Sequence, residues 1–255
     1  MAKVIAVSNQ KGGVGKTTTC VNLAAYVALG GKKVLIVDTD PQGNASSSLG
    51  FFDRKDKNSL YEVLCNDMAA KDAIRACEVE NLFLLPASSD LAGAELELAQ
   101  VVIGRERVLE EKIAEVKDVY DYIFIDCPPS LGLLTVNALA ASNGVLVPIQ
   151  SEYFALEGLS QMMNTIKLVK KFLNPTIEVE GVVLTLYDNR SKLSKGVTEE
   201  IEKLFGSKVF STKIPRNVRL AEAPSYGKPV VLYDRKCAGA KAYESLAEEF
   251  IRKIK

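Results

Sequence analysis

Short, nearly unbroken apolar runs alternate along this chain with longer stretches of helical period. The runs are 4–8 (VIAVS), 34–38 (VLIVD), 122–126 (YIFID), 144–149 (GVLVPI) and 179–187 (VEGVVLTLY). Strands buried on both faces of a parallel sheet read this way, without polar alternation. The run 83–86 (FLLP) is a weaker strand candidate. Between the first two runs, Val21, Leu23, Ala24, Ala25, Val27 and Ala28 line a helix predicted from Lys16 to Leu29, and Gly30-Gly31 is its stop signal. Segments 154–172 and 238–254 also read as amphipathic helices. Strand and helix in alternation predict an α/β fold: a doubly wound, mostly parallel sheet with helices on both faces. No internal repeat or Pro/Gly/Ser linker interrupts it, so residues 1–255 are expected to form one domain. The stretch 43–80 reads as a polar, irregular surface excursion, with Gly43 and Asn44 allowing a turn. The charged run 105–121 reads as a solvated helix face, and Tyr153 and Phe154 as packing residues at a helix start.

Composition narrows the class. The 255 residues are 47% hydrophobic and 25% charged, which excludes disordered and collagenous chains. No apolar run approaches the ~20 residues of a membrane span, and the N-terminal apolar stretch is too short for a signal peptide, so the chain is read as cytoplasmic. Five widely spaced cysteines without a CxxC pair argue against a disulfide framework or zinc knuckle. There is no histidine, which removes His-based catalysis. The net charge of zero conceals an asymmetry. Residues 1–189 hold 17 Lys+Arg against 24 Asp+Glu, and residues 190–255 hold 15 against 8. The C-terminal part can therefore present a basic face to an anionic partner, or be a solvated surface balanced by neighbouring acids.

The candidate chemistry begins where the first strand ends. Lys11-Gly12-Gly13-Val14-Gly15-Lys16-Thr17-Thr18 follows a predicted strand and opens a predicted helix, the setting of a phosphate loop. Glycines let backbone N–H groups turn in around phosphate oxygens, and the helix N-terminus adds its dipole. Lys16 would reach the β- and γ-phosphates and the Thr17 hydroxyl would ligate Mg²⁺. The usual loop has glycine where this chain has Gln10, and Lys11 is an additional lysine. Two further strands end in acids: Asp38 and Asp40 in VLIVDTDPQGN, and Asp126 in YIFIDCPPS. Ligands of an open parallel sheet bind outside the carboxyl ends of its strands, so these acids are expected to join the loop in one metal–phosphate site. Phosphoryl transfer to water is the reaction this set supports.

KGGVGKTT, DTDPQGN, DCPPSLGLLTVNAL, EYFALEGLSQ and IPRNVRLAEAPSYGKPV together resemble the ParA/Soj chromosome- and plasmid-partitioning ATPases, P-loop proteins of the deviant Walker A group. The resemblance spans about residues 3–250. The chain starts at its first strand, like the short chromosomal Soj-type form. The resemblance implies ATP and Mg²⁺ as ligands and an ATP-sandwich homodimer. In such a dimer Lys11 would cross to the partner's phosphates, and Gly12 would have to be small where two loops meet. Thr18 would touch the α-phosphate, Asp40 would orient the attacking water and help hold the metal, and Asp126 would support Mg²⁺ through water. Pro215 and Asn217, with Asp188 nearby, would form the base-binding wall. Arg190, Lys192, Lys195, Arg216 and Arg219 would contact non-specific double-stranded DNA. A ParB/Spo0J-type centromere-binding protein would stimulate hydrolysis, and the protein would be nucleoid-associated.

Three other readings remain at this stage. A MinD-like membrane switch would use the C-terminal stripe Leu246, Phe250, Ile251 and Ile254 as an interfacial anchor, although a helix docked on the sheet needs the same stripe. An iron–sulfur electron donor would need paired cysteines at a dimer axis, for which Cys127 is the best placed; Cys20 reads as core. A metabolic kinase would need an acceptor pocket without a visible signature.

Overall fold

The computed structural model describes residues 1–152 and 154–254. Strand β1 (Lys3–Val7) leads through a glycine loop to helix α1 (Lys16–Leu29), then β2 (Val34–Asp38). Four short helices and two strands follow: α2 (Asn44–Ser48), α3 (Leu60–Cys65), α4 (Ala70–Ala73), β3 (Arg75–Ala76), β4 (Leu82–Leu85) and α5 (Leu91–Leu98). The chain continues through α6 (Val108–Ala114), β5 (Tyr122–Asp126), α7 (Leu133–Ala140), β6 (Gly144–Gln150), α8 (Ala155–Phe172) and β7 (Glu178–Thr185). It ends in α9 (Lys192–Phe205), α10 (Val218–Glu222), α11 (Val230–Tyr233) and α12 (Ala238–Lys253).

The strands form one seven-stranded sheet in the order β3-β4-β2-β5-β1-β6-β7. Every pairing is parallel except the short β3–β4 edge. The doubly wound, mostly parallel sheet is thus present, with every apolar run on a strand. Alternate side chains enter two separate cores. Val4, Ala6, Leu35, Val37, Ile123 and Ile125 pack toward α3–α8. Ile5, Val7, Val34, Ile36 and Phe124 pack toward α1 and α12. Both faces are covered, which is why these strands lack a polar face.

The segment 43–80 departs from expectation. It carries α2–α4 and β3, and it buries Ala45, Ser46, Leu60, Val63, Ala70 and Ala73. Its apolar positions are too few per element to show a period, so only their packing reveals them. Gly43 does turn the chain, at φ 58°. Phe154, expected as a packing residue, is 60% exposed. Tyr153 lies outside the described residues. In the 105–121 run, Leu109 and Ile113 of α6 enter the core and the charged positions stay out, as expected.

Helix α12 closes the second face. Leu246 and Phe250 are fully buried and Ile254 is 3% exposed. The Phe250 ring lies 5.4 Å from both Tyr122 and Phe124. The apolar stripe that a membrane anchor would need is therefore occupied by the sheet, in line with the docked reading of this helix. No described helix is long and apolar enough to cross a membrane.

Candidate nucleotide site and basic face

The carboxyl ends of β1, β2 and β5 lie side by side, with Val7, Asp38 and Asp126 at one level. The glycine loop rises from β1 and is fixed from two sides. Asn9 donates to the Pro148 carbonyl at 2.8 Å and accepts the Lys11 N–H at 3.0 Å. The Thr185 hydroxyl, at the end of β7, donates to the Val14 carbonyl at 2.7 Å. Gly13 and Gly15 have φ of 75° and 81°, a region that side-chain-bearing residues enter at a cost. These two positions require glycine for the backbone to curl at the start of α1.

Above the loop opens a cleft of ≈ 470 Å³. Gly12, Gly13, Gly15, Lys16, Thr17, Thr18 and Asp40 line it, together with Pro215, Asn217, Leu220 and Pro224. The Val14 side chain is buried, so Val14 has only its backbone to offer a ligand. Lys11 does not line the cleft; its ammonium lies 3.4 Å from Glu152 in the loop after β6. Asn217 caps α10 by accepting the Arg219 N–H at 3.0 Å, and Pro215 bridges to Tyr187. Asp188 does not line the cleft, and it accepts the Arg190 N–H at 3.0 Å.

The acids differ in their surroundings. Asp38 is fully buried but satisfied: it accepts from the Ser46 hydroxyl and N–H at 2.7 and 2.8 Å and from the Asp40 N–H at 3.2 Å. Burial raises its pKa to about 6 against the pull of those bonds. It thus organises the loop rather than facing a ligand. Asp40 is 6% exposed and accepts the Gln42 N–H at 2.9 Å. Arg54 holds the same loop by donating to the Gln42 carbonyl at 2.6 Å and to that of Pro41. Asp126 is buried, and neither carboxylate oxygen has a hydrogen-bond partner among the described residues. Burial, then the charge of Asp38, pushes its pKa up, while the Thr17 hydroxyl and Lys16 oppose this. Buried polar atoms are normally paired, so two unpaired oxygens beside Thr17 and Lys16 are suited to a cation or its water shell. Burial lowers the pKa of Lys16, and Asp126 foremost opposes that shift.

Three features of the cleft escaped the sequence. Asn44, Ser47 and Ser48 of α2 line it, as do Thr185 and Tyr243. The Tyr243 hydroxyl lies 3.1 Å from that of Thr19, one turn into α1. Only the packing of α12 on α1 could reveal that pairing. Cys127, the cysteine nearest the site, is 1% exposed, with its sulfur 3.7 Å from the Ile125 carbonyl. That thiol belongs to the hydrophobic core.

The basic residues divide into two groups. Lys192, Lys195 and Arg216 are exposed and form no ion pair with a described residue. Lys192 and Lys195 lie on the open side of α9, opposite buried Val197 and Ile201. Arg190 is 88% exposed and pairs with Asp188 at 3.3 Å. Arg219 is held by Glu222 at 2.8 Å and Asp234 at 3.5 Å, which leaves it the least free of the five.

Residues 2–179 match a family described as an AAA domain. The chain is 55% identical over 249 residues to the sporulation initiation inhibitor protein Soj of Bacillus subtilis, covering 98% of each chain. It is 51% identical over 251 residues to the chromosome-partitioning ATPase Soj of Treponema pallidum, again covering 98% of each. This chain belongs to the ParA/Soj family of chromosome-partitioning ATPases. Among solved structures it superposes on the Mycobacterium smegmatis cobyrinic acid a,c-diamide synthase with bound ADP and magnesium. That match has a TM-score of 0.86 and 38% identity, covering 99% of this chain and 95% of that one.

Proposed function

We propose that this ATPase is a nucleotide-timed switch in chromosome segregation. It dimerises around ATP and Mg²⁺, binds non-specific double-stranded DNA as that dimer, and releases it after hydrolysis. The observation that carries the reading is the separation of its two loop lysines. Lys16 serves its own cleft, whereas Lys11 stands outside it beside Gly12, which has nothing within 4 Å of an added Cβ. A cation at the rim of one cleft is placed to serve the phosphates of a second copy.

The residues then have separable tasks. The loop N–H groups and Lys16 hold the β- and γ-phosphates, and Thr18 reaches the α-phosphate. Thr17, Asp40 and Asp126 would hold Mg²⁺, which would neutralise charge developing on the phosphates. Asp40 orients the attacking water, and Lys11 stabilises the same charge from the partner. Pro215 and Asn217 form the base wall. Because these contacts favour the dimer only with ATP bound, ATP shifts the population toward it. Two copies of the face bearing Arg190, Lys192, Lys195, Arg216 and Arg219 then act together, which raises DNA affinity through effective concentration. A ParB/Spo0J-type protein would set the timing by stimulating hydrolysis at the nucleoid. The relatives named for chromosome partitioning support this reading over a membrane switch, as does the buried stripe of α12.

The test is duplex binding with ATP, ADP or no nucleotide across a salt series, alongside turnover without an added acceptor. Binding that needs ATP and falls steeply with salt is expected. Binding indifferent to nucleotide would refute the switch. Gly12→Val is expected to bind ATP normally, because the space around Gly12 is open in one protomer. It should remain monomeric by sedimentation and lose ATP-dependent DNA binding. Lys192→Glu with Lys195→Glu should weaken DNA binding at least tenfold through lost phosphate contacts and retain the ATP-dependent dimer. Unchanged affinity in that double variant would move the DNA face elsewhere.

A further inference from the structure

We infer that Glu249 is a positioning residue for nucleotide recognition: its buried carboxylate holds the segment that carries Pro215 and Asn217 to the cleft. The inference rests on the base-wall reading above and adds what sets that wall in place.

The segment 209–215 runs beside β7 as an interrupted edge strand. The Phe210 N–H donates to the Val182 carbonyl at 2.9 Å, and the Ile214 N–H to that of Leu184 at 2.8 Å. The segment advances four residues, from 210 to 214, while β7 advances two, from 182 to 184. Regular parallel pairing advances one for one, so two residues are surplus and bulge out of the ladder. The amides of Ser211 and Thr212 in that bulge are taken up by Glu249 of α12. One carboxylate oxygen accepts the Ser211 N–H at 2.8 Å and the other the Thr212 N–H at 2.9 Å. The Glu249 side chain is 7% exposed.

Lys253, one turn later, completes the clamp. Its ammonium lies 2.9 Å from Glu249 and 3.3 Å from the Ser207 and Val209 carbonyls, over the Phe210 ring. Burial pushes the Glu249 carboxyl up, but the Ser211 N–H, Lys253 and the Thr212 N–H outweigh it, and the pKa falls to about 2. The carboxylate is therefore ionised at neutral pH and accepts from both amides at once. Past the clamp, the Tyr187 N–H takes the Ile214 carbonyl at 2.9 Å, and Pro215 and Asn217 enter the cleft. Glutamine cannot replace this carboxylate, because its NH₂ would face a backbone N–H donor.

The experiment titrates the full chain, in Mg²⁺, with ATP and separately with inorganic tripolyphosphate by calorimetry. Tripolyphosphate uses the phosphate loop but not the base wall. The ratio of the two affinities is independent of the fraction of protein that is folded. Glu249→Gln is expected to weaken ATP binding about tenfold, the scale of a lost charged hydrogen bond, and leave tripolyphosphate binding unchanged. Lys253→Met should shift the ratio in the same direction by less. Asn217→Ala tests the wall itself and should show the same selectivity. If Asn217→Ala is selective but Glu249→Gln shifts both ligands equally or neither, Glu249 is merely structural and the inference fails. If Asn217→Ala and Glu249→Gln both lack selectivity, the base-wall reading fails and takes the inference with it.

Discussion

Lys16→Ala is expected to abolish productive ATP binding. Lys16 is 7% exposed at the first position of α1, and its ammonium lies 3.2 Å from the Lys11 carbonyl across the glycine loop. The negative charges of Asp126 and Asp40 act on Lys16 at this end of the cleft, and neither Asp126 oxygen is hydrogen-bonded to a described residue. Alanine would leave this acidic end facing a polyphosphate without its buried cation. Lys11 lies outside the cleft, beside Glu152. Loss of one preorganised charge at a phosphoryl-transfer site costs about 10²–10³-fold in rate, before any loss of binding is added. Calorimetry with ATP and single-turnover hydrolysis measure the two parts separately. An ATP affinity and turnover equal to wild type would remove Lys16 from the site.

Asp40→Ala is expected to do the opposite to lifetime: hydrolysis falls by about 10²–10⁴-fold, the range for removing a positioned acid–base group, while ATP binding persists. Asp40 is fixed by backbone bonds on both sides, through the Gln42 N–H to its carboxylate and its own N–H to Asp38. Arg54 holds the following carbonyls, and Asp38 anchors Ser46 at the start of α2 independently of the Asp40 side chain. Truncating Asp40 at Cβ therefore removes the carboxylate without releasing the loop. The ATP dimer should accumulate and remain on DNA through a chase with competitor duplex, where wild type dissociates. Wild-type turnover in this variant would show that another group orients the water.

Much of this architecture is legible in the sequence. Each apolar run became a strand because both sheet faces are covered, so burial left the same mark at every position. The phosphate loop was legible because its tasks are local: positive φ at Gly13 and Gly15, then a helix start at Lys16. Asp40 and Asp126 were legible because strand ends in a parallel sheet converge. The limits are equally local. The pattern in 43–80 failed to announce α2–α4 because each element is only four to six residues long. Phe154 read as packing from its chemistry, yet nothing in its neighbours in sequence could report its exposure.

Residue order therefore determined the fold class, the phosphate loop and the acids around it, because those depend on periodicity, backbone freedom and strand ends. Tertiary structure decided what depends on partners distant in sequence. It buried the α12 stripe against Tyr122 and Phe124, paired Arg219 with Glu222 and Asp234, and set Lys11 against Glu152. It also brought Glu249 to the Ser211 and Thr212 amides. A charge's availability is set by the oppositely charged group that packing places within a few ångströms, and separation along the chain carries no record of that distance.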